Sequence, residues 1–188
     1  MNIIYEDNHL ILINKTPGEL SQSDITKDLS LVDELKNYLK IKYEKKGNVY
    51  LGLVNRLDRP TSGILIFAKT SKSLTRMNKL FKTRDIKKTY YAITEKCPGQ
   101  VNGQIINHLK KNQSKNKSFV VNRDDSKSKK AILNYKLIKK LKNYFLLKII
   151  LETGRHHQIR CQLSNIGCYI KGDVKYGAKR ANKDRSIC

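Results

Sequence analysis

The chain has 188 residues, a length suited to one domain with room for a sizeable core. Hydrophobic residues make up 39% and mean hydropathy is −0.57. No run approaches the roughly 18–20 apolar residues of a membrane span, and no basic-then-apolar leader opens the chain, which predicts a cytoplasmic protein without a membrane partner. Lys plus Arg total 39 against 16 Asp plus Glu, a formal charge of +23, which points to a polyanionic partner, nucleic acid before an acidic membrane surface.

The excess is lopsided. Residues 1–47 carry seven basic and eight acidic side chains, whereas residues 48–188 carry 32 and eight. Lys outnumbers Arg 30 to 9, and Asn and Ile are plentiful, as an AT-rich coding sequence would produce. Part of the charge therefore needs no binding role. The four cysteines form no CxxC pair, so reduced thiols are expected. His156, His157, Cys161 and Cys168 match no familiar zinc spacing, and no metal is expected.

In chain order, residues 5–14 read as a turn feeding a short apolar strand, closed by Thr16-Pro-Gly18. Ser30-Leu-Val-Asp33 resembles a capping box, and Leu31, Leu35 and Leu39 behind it mark an amphipathic helix ending near Lys45-Lys-Gly47. Residues 49–54 and 64–68 read as buried strands. Ser71 is placed to cap a second helix with Leu74, Met77, Leu80 and Phe81 at helical spacing. Residues 89–94, β-branched and aromatic, form a strand. The Lys- and Asn-rich stretch 101–130 predicts short strand pieces at 104–107 and 118–121 around a mobile basic loop. Residues 131–138 and 144–151 are two further strands. A last helix follows Thr153-Gly154, with Ile159, Leu163 and Ile166 inward and Gly167 as its stop. The order predicts an α+β fold: a mixed, mostly antiparallel extended sheet with flanking helices.

Two segments carry chemistry. One is Asn55-Arg-Leu-Asp-Arg-Pro-Thr-Ser-Gly63, a turn-rich connector holding a carboxylate between arginines. The other is Gly154-Arg-His-His-Gln-Ile-Arg160, followed by Gly172-Asp-Val-Lys-Tyr-Gly177. On the predicted helix His156 and Arg160, four apart, share a rim face beside inward Ile159, while Arg155 and His157 lie near the helix N-terminus, a favourable anion site. Neighbouring strand residues face opposite sides, so only one of Tyr90 and Tyr91 can face a cleft; the other belongs to the core. By itself Asp58 also suits a turn-capping role in an Asp-Arg-Pro turn.

Taken together, the segments resemble the RluA-type RNA pseudouridine synthases. That family shows an [HN]RLDxxTSG loop, a KKxY strand (here Lys87-Lys-Thr-Tyr90), and a GRxHQIR helix leading into GDxxYG, in this order. The resemblance runs from Tyr5 to Gly177. It implies the pseudouridine synthase fold with a central RNA-binding cleft, an isomerase using no cofactor, and rRNA or tRNA as partner to a monomer. By motif position, Asp58 becomes the catalytic carboxylate, Arg160 the cation keeping it ionised, and Tyr90 the aromatic stacked on uracil. Arg56 becomes the residue filling space left by the extracted base, and Ile170 an apolar wall of the pocket, with plain core packing as its other reading. Arg155 and His157 are expected to meet RNA phosphates. Asp58 suits either a nucleophile or a base removing a ribose proton.

Three departures stand out. Asn55 replaces the commoner His, and Cys168-Tyr169 stands where His/Cys-Pro is usual. The chain also ends at Cys188, where relatives continue into at least one more strand, whose beginning Arg185-Ser-Ile-Cys resembles. One catalytic domain over 1–188 is expected, short of that strand and without an N-terminal S4-like domain. A noncatalytic RNA-binding or ribosome-assembly protein is the alternative reading. A glycosidase would want a second cooperating carboxylate, which the surroundings of Asp58 do not offer.

Overall fold

A computed structural model describes residues 1–23 and 28–188. The chain folds into two compact units, Met1–Ile86 with Asp184–Ser186, and Lys87–Lys183 with Ile187–Cys188.

The first unit contains β1 (Ile3–Glu6), β2 (Leu10–Lys15), α1 (Leu31–Lys42), β3 (Gly52–Leu53), β4 (Gly63–Ala68) and α2 (Ser71–Thr83). Its sheet has the order β1-β2-β4-β3, antiparallel throughout. Where the sequence suggests a turn and one strand, the chain forms a hairpin, because the Asp7 carboxylate accepts the N–H groups of His9 (2.7 Å) and Leu10 (2.6 Å) and folds residues 7–10 into an Asx turn. The capping box forms as read: Ser30 and Asp33 each accept from the other's backbone N–H. Leu31, Leu35 and Leu39 then pack on Ile11, Ile13, Leu65 and Phe67. The strand expected over 49–54 is reduced to Gly52 and Leu53 paired with β4, with the Val54 N–H adding a bond to Ile66 O at 2.9 Å. Leu74 explains the close fit there, since a Cβ on Gly52 would lie 2.7 Å from its methyl.

The cap of α2 is Thr70 rather than Ser71: the Thr70 hydroxyl accepts the Ser73 N–H, and Ser73 answers to the Thr70 N–H. Glu6 is the unit's charge hub. Burial raises its carboxyl pKa, but hydrogen bonds from Lys42, Tyr43, Lys69 and Tyr38 outweigh that and hold it at about 2.

The second unit contains β5 (Lys88–Thr94), β6 (Asn102–Asn112), β7 (Lys117–Val121), β8 (Lys129–Lys140), β9 (Phe145–Leu151), α3 (Gln158–Asn165) and a 3-10 turn, Val174–Tyr176. The sheet order is β5-β9-β8-β6-β7, again antiparallel. The class is thus α+β, with antiparallel ladders in both sheets. Of the two short pieces expected within 101–130, that at 118–121 is β7, while that at 104–107 is the middle of an 11-residue strand, β6, paired on both sides. The inward residues of β6, Ile105 and Leu109, are buried, while Ile106 lies exposed on the other face among Asn, Gln, His and Lys, which masks the alternation. Asp125 tightens the turn between β7 and β8, accepting from the Lys127 N–H and from Lys110 at 2.7 Å.

The core joins Ala92, Ile105, Leu133, Leu147 and Ile149 to Leu163 of α3, so α3 covers one face of the sheet. Helix α3 starts at Gln158, and His157 before it is left-handed (φ 51°), so His156 lies off the helix and does not share a helical face with Arg160. At the other end, Gly167 (φ 75°) donates to Ser164 O and Cys168 to Leu163 O, a Schellman stop. The turn therefore needs no proline at 169, and Ile166, read as inward, is exposed just beyond the helix end. Ile187 packs on this core, and Cys188 runs beside β5, its carbonyl accepting the Ile93 N–H at 2.9 Å.

Candidate active site

Asp58 stands in a loop whose flanks are fixed from several sides. The alternation Ile11, Ile13, Lys15 along β2 points Lys15 inward, and its side chain is fully buried. Its ammonium donates to the carbonyls of Thr16 (3.0 Å), Arg59 (2.9 Å) and Thr61 (2.6 Å). Burial pulls the Lys15 pKa down to about 8, with the charges of Glu19 and Asp58 opposing that pull. Leu57 packs on the first unit's core, and its carbonyl accepts the Ser21 hydroxyl. The Thr61 N–H closes a turn onto Asp58 O at 3.0 Å. Arg59 donates to Gly18 O and pairs with Asp28 at 2.9 Å, so this second loop arginine acts on the loop itself.

Asn55 opens the loop by clamping β4: its amide donates to Ile64 O (3.0 Å) and its oxygen accepts the Ile66 N–H (2.8 Å). That is a backbone-like rung, and it accounts for Asn at this position. Gly63 closes the loop at φ 140°, a conformation side-chain-bearing residues rarely adopt. With Leu57 anchored inward and Arg59 tied back, Asp58 is left half-buried between them, and Arg56 is exposed.

In the second unit Arg160 is buried, not on a solvent rim. Its Nε and Nη2 donate to the two oxygens of Asp173 at 2.7 and 2.8 Å, a fork on a carboxylate that is itself 2% exposed. Arg160 Nη1 meets His157 Nε2 at 3.1 Å, and His157 Nδ1 meets the Tyr176 hydroxyl at 3.0 Å. A guanidinium only donates, so His157 Nε2 must accept there and Nδ1–H must donate to Tyr176. Tyr176 also accepts the buried Ser118 N–H at 2.8 Å, and burial pushes its phenol pKa upward, so it stays protonated. His157 is therefore built into the mount of Arg160. His156 stacks on it at 3.8 Å and meets Ser118 and Asn116.

Buried Gln158 pins the turn before α3, accepting from Thr153 and the Arg155 N–H and donating to Ile132 O. Arg155 is exposed, with Nε donating to Lys130 O. Gly177 (φ 108°) ends the 3-10 turn, and a Cβ there would lie 2.7 Å from the Tyr169 ring. The two C-terminal motifs thus form one mount, Asp173 and Tyr176 serving Arg160 directly and through His157.

Tyr90 is half-buried on the core face of β5, in register with Ile149 and beside Ala92. Tyr91 points to the opposite face and is 62% exposed, so it is not the core tyrosine of the pair. Ile170 is 5% exposed, packs in the second core and bridges Thr94, which matches the core-packing reading. The sequence assigns no role to Lys15 or Asp173. The signal for Lys15 was a cation at an inward strand position, and for Asp173 the acidic residue of GDxxYG. Among the described residues no cluster of His, Cys, Asp and Glu is arranged to hold a metal ion, and no helix is long and apolar enough to cross a membrane.

A family model for RNA pseudouridylate synthases matches residues 9–165. The chain is 38% identical over 178 residues to the ribosomal large subunit pseudouridine synthase C of Rickettsia prowazekii, covering 94% of this chain and 56% of that protein. It is 33% identical to the ribosomal large subunit pseudouridine synthase D of Zymomonas mobilis, covering 96% and 57%. The chain thus spans little more than half the length of these relatives. Human RNA pseudouridylate synthase domain containing 4 superposes with a TM-score of 0.78 at 27% identity, over 93% of this chain and 68% of that one. By the family match and these likenesses, the chain belongs to the RNA pseudouridylate synthase family.

Proposed function

We propose that the chain isomerises uridine to pseudouridine in structured RNA, with Asp58 as the catalytic carboxylate. The reaction breaks the C1′–N1 bond, forms C1′–C5, releases the C5 hydrogen to solvent as a proton and leaves a proton on N1. Atoms and electrons balance within the nucleoside, so the chemistry asks only for a nucleophile or base and for fixed orientation. Asp58 takes one of those two roles. Tyr90 and Arg160 are its partners at the uridine, and Arg56 and Arg155 contact RNA; these assignments rest on motif position.

The observation that carries the reading is the mounting of Asp58: a half-buried carboxylate centred in the family's loop, with the carbonyls that follow it held by buried Lys15. Large-subunit rRNA is the first substrate to try, since the named relatives act there, and tRNA the second. The +23 charge suits either, and binding should weaken steeply with salt as phosphate contacts release counterions. Tritium release from [5-3H]uridine-labelled transcripts tests the proposal. Wild type should release tritium, Asp58→Asn should not, and both should bind RNA alike. Turnover by Asp58→Asn would overturn the role of Asp58. Wild-type binding without turnover on either RNA class would favour the noncatalytic reading.

A further inference from the structure

The face of the five-stranded sheet opposite α3 has no part in the site described above. Strand register defines it: Tyr91, Lys148 and Lys136 stand in one row across β5, β9 and β8, with Ile150 in the next row and Ile106 beyond it on β6. Phe119, opposite Lys110, closes the face on β7. Tyr91, Ile106, Phe119 and Ile150 are all exposed. At about 4.8 Å between strands, the row from Tyr91 to Lys136 covers about 10 Å.

The charges of this face ask for an anion. Lys148 and Lys136 oppose each other directly in adjacent strands, a like-charge placement that costs stability unless an anion lies over it. Neither makes an ion pair among the described residues. The carboxylates nearby are otherwise engaged: Glu152 accepts from Gln104 (2.9 Å) and Asn134 (2.8 Å), and Asp125 pairs with Lys110. Exposed aromatic and aliphatic side chains interleaved with unpaired cations on an open antiparallel sheet make a surface on which bases stack while phosphates meet ammonium groups.

We propose that this open face docks a single-stranded stretch of RNA, with Tyr91 stacking on a base and Lys136 and Lys148 taking phosphates. It is a second contact, apart from the loop that carries Asp58. It would hold RNA flanking the modified nucleotide and raise the affinity for long substrates without touching the chemistry.

The test is fluorescence anisotropy with a labelled twelve-nucleotide oligouridine, using wild type, Tyr91→Ala, the double variant Lys136→Glu/Lys148→Glu, and Asp58→Ala. Tyr91 and Lys136 are exposed, so the folds should survive, which circular dichroism checks. Tyr91→Ala should bind about tenfold more weakly. The double variant should weaken binding at least as much and lower the slope of log affinity against log salt by about 1.4. Asp58→Ala should bind as wild type does, so loss of catalysis and loss of docking are read separately. Wild-type affinity and salt slope in the lysine variant would overturn the proposal. So would sedimentation showing that the face joins two copies of the chain, with Tyr91→Ala abolishing that association.

Discussion

Around Asp58 the buried charge is Lys15, and carbonyl dipoles satisfy it; around Arg160 the buried charge is a guanidinium, and the carboxylate of Asp173 satisfies it. In the first region the cation organises backbone, and the carboxylate at the loop's centre stays half-exposed. In the second the charged side chain itself is locked, by a fork from Asp173 and a relay through His157 and Tyr176. The difference teaches what each charge can tolerate. A lysine whose contacts are neutral carbonyls is pulled down to about 8 by burial, only partly offset by the charges of Glu19 and Asp58, while a fork-paired arginine has an opposite charge in contact.

Removing a partner should therefore hurt most in the second region. Asp173→Ala leaves the guanidinium buried without its carboxylate, and about 3–5 kcal/mol of stability should be lost, read from urea unfolding. A loss below 1 kcal/mol would mean that water or another group already shields Arg160.

Lys15→Met should cost less, about 1–3 kcal/mol, because lost hydrogen bonds to Arg59 O and Thr61 O are partly offset by relief of desolvation. The sign with pH sharpens this. The folded-state pKa of Lys15 lies below its unfolded value, so the desolvation penalty is fully present below about pH 8 and lifts as pH rises toward about 10.5. Wild type should gain stability relative to Lys15→Met across that window. A flat difference would place Lys15 in water.

Tyr176→Phe should be the mildest, at about 1 kcal/mol, since it removes one hydroxyl shared by Ser118 and His157 while keeping the ring's packing. Its informative readout is imidazole NMR: with the Tyr176 acceptor gone, the Nδ1–H signal of His157 should shift while the Arg160–Asp173 fork persists.

Much of this was legible in the sequence, and the misses have physical causes. The leucine stripe of α1 and its capping box read directly, because local hydrogen bonds and helical periodicity decide them. Strand β6 is hard to read because its open face mixes Asn102, Gln104, His108 and Lys110 with the exposed Ile106, hiding an inward Ile105–Leu109 alternation that only pairing with β8 reveals. The loop that carries Asp58 and the Arg160 segment are recognisable as motifs, yet their mounting is not. Lys15 acts on carbonyls 44 and 46 residues away, and Asp173 reaches back 13 residues to α3, links that no local pattern encodes. His156 falls off the helix for a local reason: the left-handed His157 is its N-cap, so the helix begins only at Gln158, two residues later.

The most direct test of the account is single-turnover tritium release by Asp58→Asn on large-subunit rRNA transcripts, beside wild type at matched RNA occupancy. The account predicts a burst from wild type and none from Asp58→Asn, with the RNA still bound. Equal bursts from the two proteins would contradict it.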